Sequence, residues 1–265
     1  MRLKGKVAVV TGGGAGLGKA VAKRYAAEGA QVVVSEINPV DGEATVEDIR
    51  REGGDAIFVR TDVSKEAEVE TMVNTAIKQY GELDILHNNA AVLFHKKEAR
   101  AHELSNEVWD RTISVNLRGY WLCSKYALPS IIRRGGGSII HVASPTGLFG
   151  FTSLTAYSTS KAGVLGLMRA MAVDYAPDNI RVNAIVPGTM NTPMNAEYLS
   201  DSQVRADLIA KAPLGRLGVA DDVSGLAVFL ASDESAYCTG GIYMVDGGQT
   251  AALKSSPKST QKLKA

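Results

Sequence analysis

Short apolar runs recur along the chain at Val7 to Val10, Val32 to Val34, Ile57 to Val59, Leu83 to Leu86, Ile139 to Val142, Val182 to Val186 and Ile242 to Val245. They are continuous rather than alternating, the pattern of strands covered on both faces. Stretches of helical period separate them, beginning near Gly16, Pro39, Lys65, Ser105, Thr155 and Val219. This alternation predicts an α/β fold, a doubly wound parallel seven-stranded sheet with helices on both faces. No Pro/Ser-rich linker or fixed-period repeat interrupts it, so residues 1–250 read as a single domain. Residues 191–213 break the tempo as a polar, helical insertion suited to a lid, and residues 251–265 read as a lysine-rich, disordered C-terminal tail.

Composition narrows the classes. Hydrophobic residues make up 45% of the 265, and 29 Lys and Arg stand against 28 Asp and Glu. That balance excludes a disordered chain and gives nucleic acid no basic surface to bind. Four of the lysines (Lys254, Lys258, Lys262, Lys264) fall in the tail, where no acid occurs, so the preceding residues are slightly acidic. Cys123 and Cys238 lie in apolar stretches without metal-ligand spacing, which predicts buried thiols in a reducing compartment and no metal. Lys4, Gly5 and Lys6 precede an apolar run too short for a signal peptide, and no run of eighteen apolar residues occurs, so a cytoplasmic protein without membrane contact is expected.

The first strand runs into Thr11-Gly12-Gly13-Gly14-Ala15-Gly16-Leu17-Gly18, after which a helix begins. A glycine-rich turn at a strand-to-helix junction presents backbone N–H groups to a pyrophosphate with no Cβ in the way, a Rossmann-like arrangement. The spacing is T-G-x-x-x-G-x-G rather than G-x-G-x-x-G. Glu36, about twenty residues on at the end of the second strand, can accept hydrogen bonds from ribose hydroxyls and would repel a 2′-phosphate. Neither Ala15 nor Ile37 offers a positive charge there, so NAD is expected over NADP.

Tyr157 and Lys161 stand four apart in a helical stretch and share one face. An ammonium beside a phenol favours the phenolate, as acid/base work in hydride transfer requires.

Together with these, Asp62-Val63, Asn88-Asn89-Ala90-Ala91, Asn116, Ser144, Pro187-Gly188 and Val245-Asp246-Gly247-Gly248 follow in an order and spacing that resemble the short-chain dehydrogenase/reductase (SDR) family over nearly the whole chain. The resemblance implies an enzyme that interconverts a secondary alcohol and a ketone by hydride transfer to or from NAD. It implies Tyr157 as acid/base, Lys161 as the group that lowers its pKa and holds the nicotinamide ribose, and Ser144 as hydrogen-bond donor to the substrate oxygen. Asn116 would hold a water that links Lys161 to solvent. Gly12, Gly14, Ala15, Gly16, Leu17, Gly18 and Glu36 would surround the adenosine and pyrophosphate, with Asp62 and Val63 flanking the adenine and Asn89 and Ala90 beside its ribose. Pro187, Gly188, Met190 and Thr192 would wrap the nicotinamide. A homotetramer is implied, built partly on the aromatic-rich helical stretch from Ser105 to Arg134.

Two positions depart from the family pattern. Ala91 stands where glycine is usual, and Ala143-Ser144-Pro145 replaces a Ser-Ser pair, so no N–H follows the serine. The substrate wall is expected from Val92, Leu93, Phe94, His95, Pro145, Thr146, Leu148, Phe149, Met194 and Tyr198, mostly apolar and suited to a compact, uncharged secondary alcohol. His95 reads as an exposed loop residue, and Lys96 with Lys97 as a solvated pair. An NADPH-dependent 3-oxoacyl-thioester reductase is the alternative, and a non-catalytic dinucleotide-binding protein fits the complete Asn116, Ser144, Tyr157 and Lys161 set poorly.

Overall fold

The computed structural model describes residues 1–252, and the expected disorder of the tail from residue 253 lies outside them. The chain begins with β1 (Val7–Thr11), buried throughout, and turns through the glycine loop into α1 (Gly16–Ala27). After β2 (Gln31–Glu36), Asn38 caps α2 (Pro39–Arg51) by accepting from Val40 N, with Pro39 in the first turn where its missing N–H costs nothing. β3 (Asp55–Arg60), α3 (Glu66–Tyr80) and β4 (Ile85–Asn88) follow. Next come α4 (Asn106–Ile113), α5 (Gly119–Arg134), β5 (Gly137–Val142) and α6 (Thr155–Asp174). The described part closes with β6 (Ile180–Pro187), α7 (Ser202–Lys211), α8 (Asp221–Ala231) and β7 (Ile242–Val245).

All seven strands are parallel, in the order β3-β2-β1-β4-β5-β6-β7. Because β1 pairs with β2 on one side and β4 on the other, the chain winds outward in opposite directions and its helices cover both faces. Val9, Val33, Leu86 and Ile139 pack on one face against Met72, Leu122 and Met168. Ala8, Val10, Val34 and Ile140 pack on the other against Val21, Tyr25, Ile49 and Val228. Such a reversal of strand order leaves a crevice beyond the carboxyl ends of β1 and β4.

Two elements differ from the sequence expectation. β4 begins at Ile85 rather than Leu83 and runs on through His87 and Asn88. These polar residues end an apolar run on paper, yet both are fully buried, with Asn88 bonding Ser124 and His141. The long helical stretch from Ser105 is interrupted at Ser114–Arg118 by a π turn, which carries Asn116. Of its aromatics, Tyr120 fills the core, whereas Trp109 and Trp121 remain exposed. Residues 191–213 are helical, as expected, through two short 3-10 turns and α7. Cys123 and Cys238 are free thiols, the first buried. Among the described residues, no helix is long and apolar enough to cross a membrane, and no cluster of metal-ligating side chains occurs.

Gly18 shows how tightly the first helix seats on the glycine loop. A methyl group there would overlap the Gly12 carbonyl oxygen and stand 2.6 Å from Asn89 Nδ2. Gly18→Ala is therefore expected to destabilise the chain by about 2 kcal/mol or more, read as a lower urea midpoint at unchanged m-value.

Candidate active site

The glycine loop is held from below and from the side. Thr11 Oγ1 accepts from the backbone N–H groups of Asn89 (3.0 Å) and Ala90 (3.1 Å), while Asn89 Nδ2 donates to the Thr11 and Gly12 carbonyls (3.0 and 3.2 Å). Gly12 and Gly16 adopt positive φ of 63° and 53°, a conformation that costs glycine little. Glu36 closes the edge of the loop. Its Oε2 accepts from Gly14 N (3.2 Å), and its Oε1 from Ile37 N (2.7 Å) and Asn38 N (3.1 Å).

A cavity of about 1370 Å³ extends from this loop along the carboxyl ends of the central strands. Its volume exceeds the roughly 300–1,000 Å³ usual for one small ligand, leaving room for an extended ligand and a second, compact one. Gly12, Ala15, Gly16, Leu17 and Glu36 line one end, with Asp62, Val63, Asn89 and Ala90 beside them. Ser144, Tyr157 and Lys161 form the middle, and Pro187, Gly188, Met190 and Thr192 the far wall. Pro145, Phe149 and Met194 flank the outer part.

Five of the expected site residues stand outside the cavity lining, among them Leu148, which is exposed on the surface instead. Gly14 packs against the Glu36 and Asp41 side chains and Gly18 against the loop's own backbone, so both shape the cradle from behind. Phe94 turns away while its neighbours Leu93 and His95 line the cavity. Asn116 is fully buried, its Oδ1 accepting from Val92 N (2.8 Å) and its Nδ2 donating to Val92 O (2.9 Å) and Ser160 Oγ (3.2 Å). Its amide is thus committed to the loop after β4, leaving only its main chain, in the widened π turn, to meet a water. Met190 lines the cavity but is 4% exposed, its side chain seated on Gly218 in the core.

The cavity fits a nicotinamide dinucleotide. No side chain caps the first turn of α1, so its N–H groups face the cradle as an anion site, and the glycines lining that cradle offer no Cβ to a pyrophosphate. Glu36 lies within reach of a ribose at one end. Burial opposes ionisation of Asp62, but hydrogen bonds from Ser64 and the Arg111 guanidinium outweigh it and hold its carboxyl below the usual range. Arg111 also lines the cavity, a wall residue the sequence did not single out.

At the reacting end, Lys161 is 1% exposed, donates from Nζ to Val142 O (2.8 Å), and lies over the rings of Tyr120 (5.3 Å) and Tyr157 (5.7 Å). Burial pushes its pKa down to about 7. Burial likewise pushes the Tyr157 phenol up to about 12, against the pull of the Ser144 hydroxyl and with a further rise from the Glu98 carboxylate. The phenol therefore does not stand below its ordinary value, because desolvation outweighs the pull of the Ser144 hydroxyl. Pro145 offers Ser144 no N–H, but Thr146 replaces it, donating to Ser144 Oγ from its N (3.3 Å) and its hydroxyl (3.1 Å).

Local sequence carries no signal for two other contacts. The His95 ring stacks on Tyr198 (4.7 Å between centroids) and pairs through Nε2 with Asn195 Oδ1 (3.1 Å), while Lys96 forms an ion pair with Glu197. His95 therefore clasps residues 191–213 rather than standing free, while Lys96 and Lys97 stay exposed, as expected, with the Lys96–Glu197 pair at the surface. Glu98 is 9% exposed and accepts from Tyr157 N (2.8 Å) and Ala156 N (3.1 Å).

A family model described as enoyl-(acyl carrier protein) reductase matches residues 12–250. A 2,5-dichloro-2,5-cyclohexadiene-1,4-diol dehydrogenase of Sphingobium indicum is 39% identical, covering 93% of this chain and 97% of its own. The crystal structure of levodione reductase superposes with a TM-score of 0.91 at 33% identity, over 95% of this chain and 100% of that one. A structure from Beutenbergia cavernae, provisionally described as an NAD(P)-dependent gluconate 5-dehydrogenase, aligns with a TM-score of 0.89 at 34% identity, over 94% of this chain and 98% of that one. It contains NADP at low occupancy. The chain belongs to the short-chain dehydrogenase/reductase family and is an oxidoreductase that uses a nicotinamide cofactor.

The buried lysine makes stability depend on pH. Between about pH 7 and pH 10 the unfolded chain holds a proton on Lys161 that the folded chain has lost, so this residue's contribution to stability rises with pH across that window. Lys161→Met is expected to flatten the rise, its advantage over the wild type growing as pH falls from 10 to 7 and levelling below. Urea midpoints of both proteins across that range check it.

Proposed function

We propose that the chain is an NAD-dependent dehydrogenase that interconverts a secondary alcohol and a ketone. The observation that carries this reading is one continuous cavity with Ser144, Tyr157 and Lys161 on its wall and the Glu36 carboxylate at its far end. A nicotinamide bound there supplies or accepts the hydride. Tyr157 Oη takes the hydroxyl proton in oxidation and returns it to the carbonyl oxygen in reduction. Ser144, oriented by Thr146, donates to that same oxygen and polarises it. Lys161, with a pKa near 7, gains or loses its proton at working pH and so matches its charge to the state of Tyr157. The main chain of Asn116 is assigned the relay water.

The preference for NAD rests on Glu36, whose carboxylate stands where a 2′-phosphate would bring a second negative charge, and on Ile37, which offers no cation. Leu93, Phe149, Phe151, Met194 and Tyr198 give the outer cavity an apolar wall, which supports a compact, uncharged alcohol. A cyclic alcohol is in keeping with the diol named for the Sphingobium relative. Trp109 and Trp121, exposed on α4 and α5, support a homotetramer, and the cytoplasm is the assigned compartment. The second reading is an NADPH-dependent reductase of 3-oxoacyl thioesters, supported only by the carrier-protein thioester that the matching family model's description names, and opposed by Glu36.

Initial rates across cyclic diols, other secondary alcohols, sugars and hydroxyacyl thioesters, with NAD and NADP in parallel, separate the two. The first reading expects turnover with NAD on one alcohol class, and turnover with NADP and a thioester alone would replace it with the second. Tyr157→Phe is expected to lower kcat at least a hundredfold while NADH binding, followed by fluorescence titration, stays within about twofold. Glu36→Ala combined with Ile37→Arg is expected to shift the ratio of kcat/KM toward NADP by tenfold or more, on the scale of about 1.4 kcal/mol.

A further inference from the structure

The helix that carries Tyr157 begins without a cap of its own. Leu154 precedes α6 and provides no side-chain hydrogen bond, and Ser153 before it is held at a strained φ of 53°. The missing cap comes from 56 or more residues upstream in the chain. Glu98 sits at the end of a turn in the loop after β4, where Lys97 N and Glu98 N both donate to Phe94 O (2.8 and 2.9 Å). From there its carboxylate accepts from Ala156 N and from Tyr157 N itself. Thr155 Oγ1 ties the same two segments by donating to Ala99 O (2.7 Å).

A carboxylate suits this position, since its charge is favourable at a helix N-terminus. Capping is commonly served by a local serine, threonine, asparagine or aspartate, whereas this carboxylate comes from a distant loop and is buried without an ion pair, which is expensive to keep. Among the described residues Glu98 forms no salt bridge, and the compensation it has is the pair of N–H donors at the positive end of a twenty-residue helix. Glu98 also lines the cavity, together with Leu93 and His95 from the same loop. One side chain therefore joins the wall of the outer cavity to the backbone of the acid/base tyrosine.

We propose that Glu98 is a positioning residue for Tyr157, fixing the start of α6 and setting the field at the phenol from the loop that lines the substrate space. The inference rests on the proposed role of Tyr157 as acid/base. The titratable groups facing that phenol are Lys161 on its own helix, Tyr120 from α5 and Glu98 from the loop, with the Ser144 hydroxyl from the end of β5 and His141 beside Lys161. Of these, Glu98 brings a negative charge and so holds the phenol toward its protonated form.

Glu98→Gln keeps the shape, removes the charge and turns an amide NH₂ toward one of the two N–H donors. Alcohol oxidation by this variant is expected to show kcat lowered about tenfold with the KM for the nucleotide within about twofold, the pattern of a misplaced acid/base rather than a lost binding contact. The acid limb of its pH–rate profile is expected to move down by about half a unit or more. Glu98→Asp, which keeps the charge, is expected to leave that limb in place while lowering kcat. An unmoved limb in Glu98→Gln, with only a lower melting temperature, would reduce Glu98 to a structural cap and overturn the proposal. If Glu98→Gln does not fold, wild-type kcat in Glu98→Asp overturns it instead. If the wild-type chain oxidises no alcohol, the proposed function fails separately. Glu98 is then judged by titrating Tyr157 in ring-carbon-labelled tyrosine NMR, with Tyr157→Phe assigning the signal: a lower midpoint in Glu98→Gln sustains the proposal, and an unchanged one removes it.

Discussion

A parallel strand with different neighbours in both directions is the constraint on which the rest of this molecule depends. β1 pairs with β2 on one side and β4 on the other, so the chain beyond its carboxyl end and the chain beyond β4 leave toward opposite faces. The gap between them is where a ligand can approach backbone. Thr11 and Asn89, the last residue of β1 and the first after β4, hold that gap at a fixed width through four hydrogen bonds. Every expected site residue then falls on a segment leaving a carboxyl end of the sheet or on an element such a segment touches.

Holding this cavity open requires polar groups in places where they are costly. Lys161 is buried against a carbonyl, Asn116 spends its amide on Val92 and Ser160, and Glu98 spends its carboxylate on the start of α6. Each is satisfied by partners from a distant segment, which is what makes burial tolerable. Asn116 and Glu98 connect the loop after β4 to the π turn and α6, and Lys161 ties α6 to the end of β5, so the wall of the outer cavity and the acid/base group are built as one piece. The same loop also reaches residues 191–213, through the stack of His95 on Tyr198 and the exposed Lys96–Glu197 pair.

Much of this was legible in one dimension. Continuous apolar runs separated by helical period have few solutions other than a parallel sheet covered on both faces, and the glycine loop with Glu36 marks its ligand end. Buried polar residues carry the least signal along the chain. His87 and Asn88 extend β4 beyond its apolar run because their partners, Tyr25, Ser124 and His141, come from elsewhere in the fold. The glycine pattern places Gly14 and Gly18 against a ligand, whereas the space they save is occupied by the protein's own atoms.

Residue type and spacing by themselves determined the fold class, the order of its elements, and the juxtaposition of Tyr157 with Lys161, because a helix repeats locally and needs no other part of the chain to do so. Only the tertiary structure decided that desolvation would outweigh the group that lowers the phenol, that Asn116 would face Val92, that Phe94 would stand outside the cavity lining, and that Glu98 would cap α6. Those outcomes depend on which distant groups share a buried site and on how much water they exclude, and neither quantity is carried by the spacing of residues along the chain.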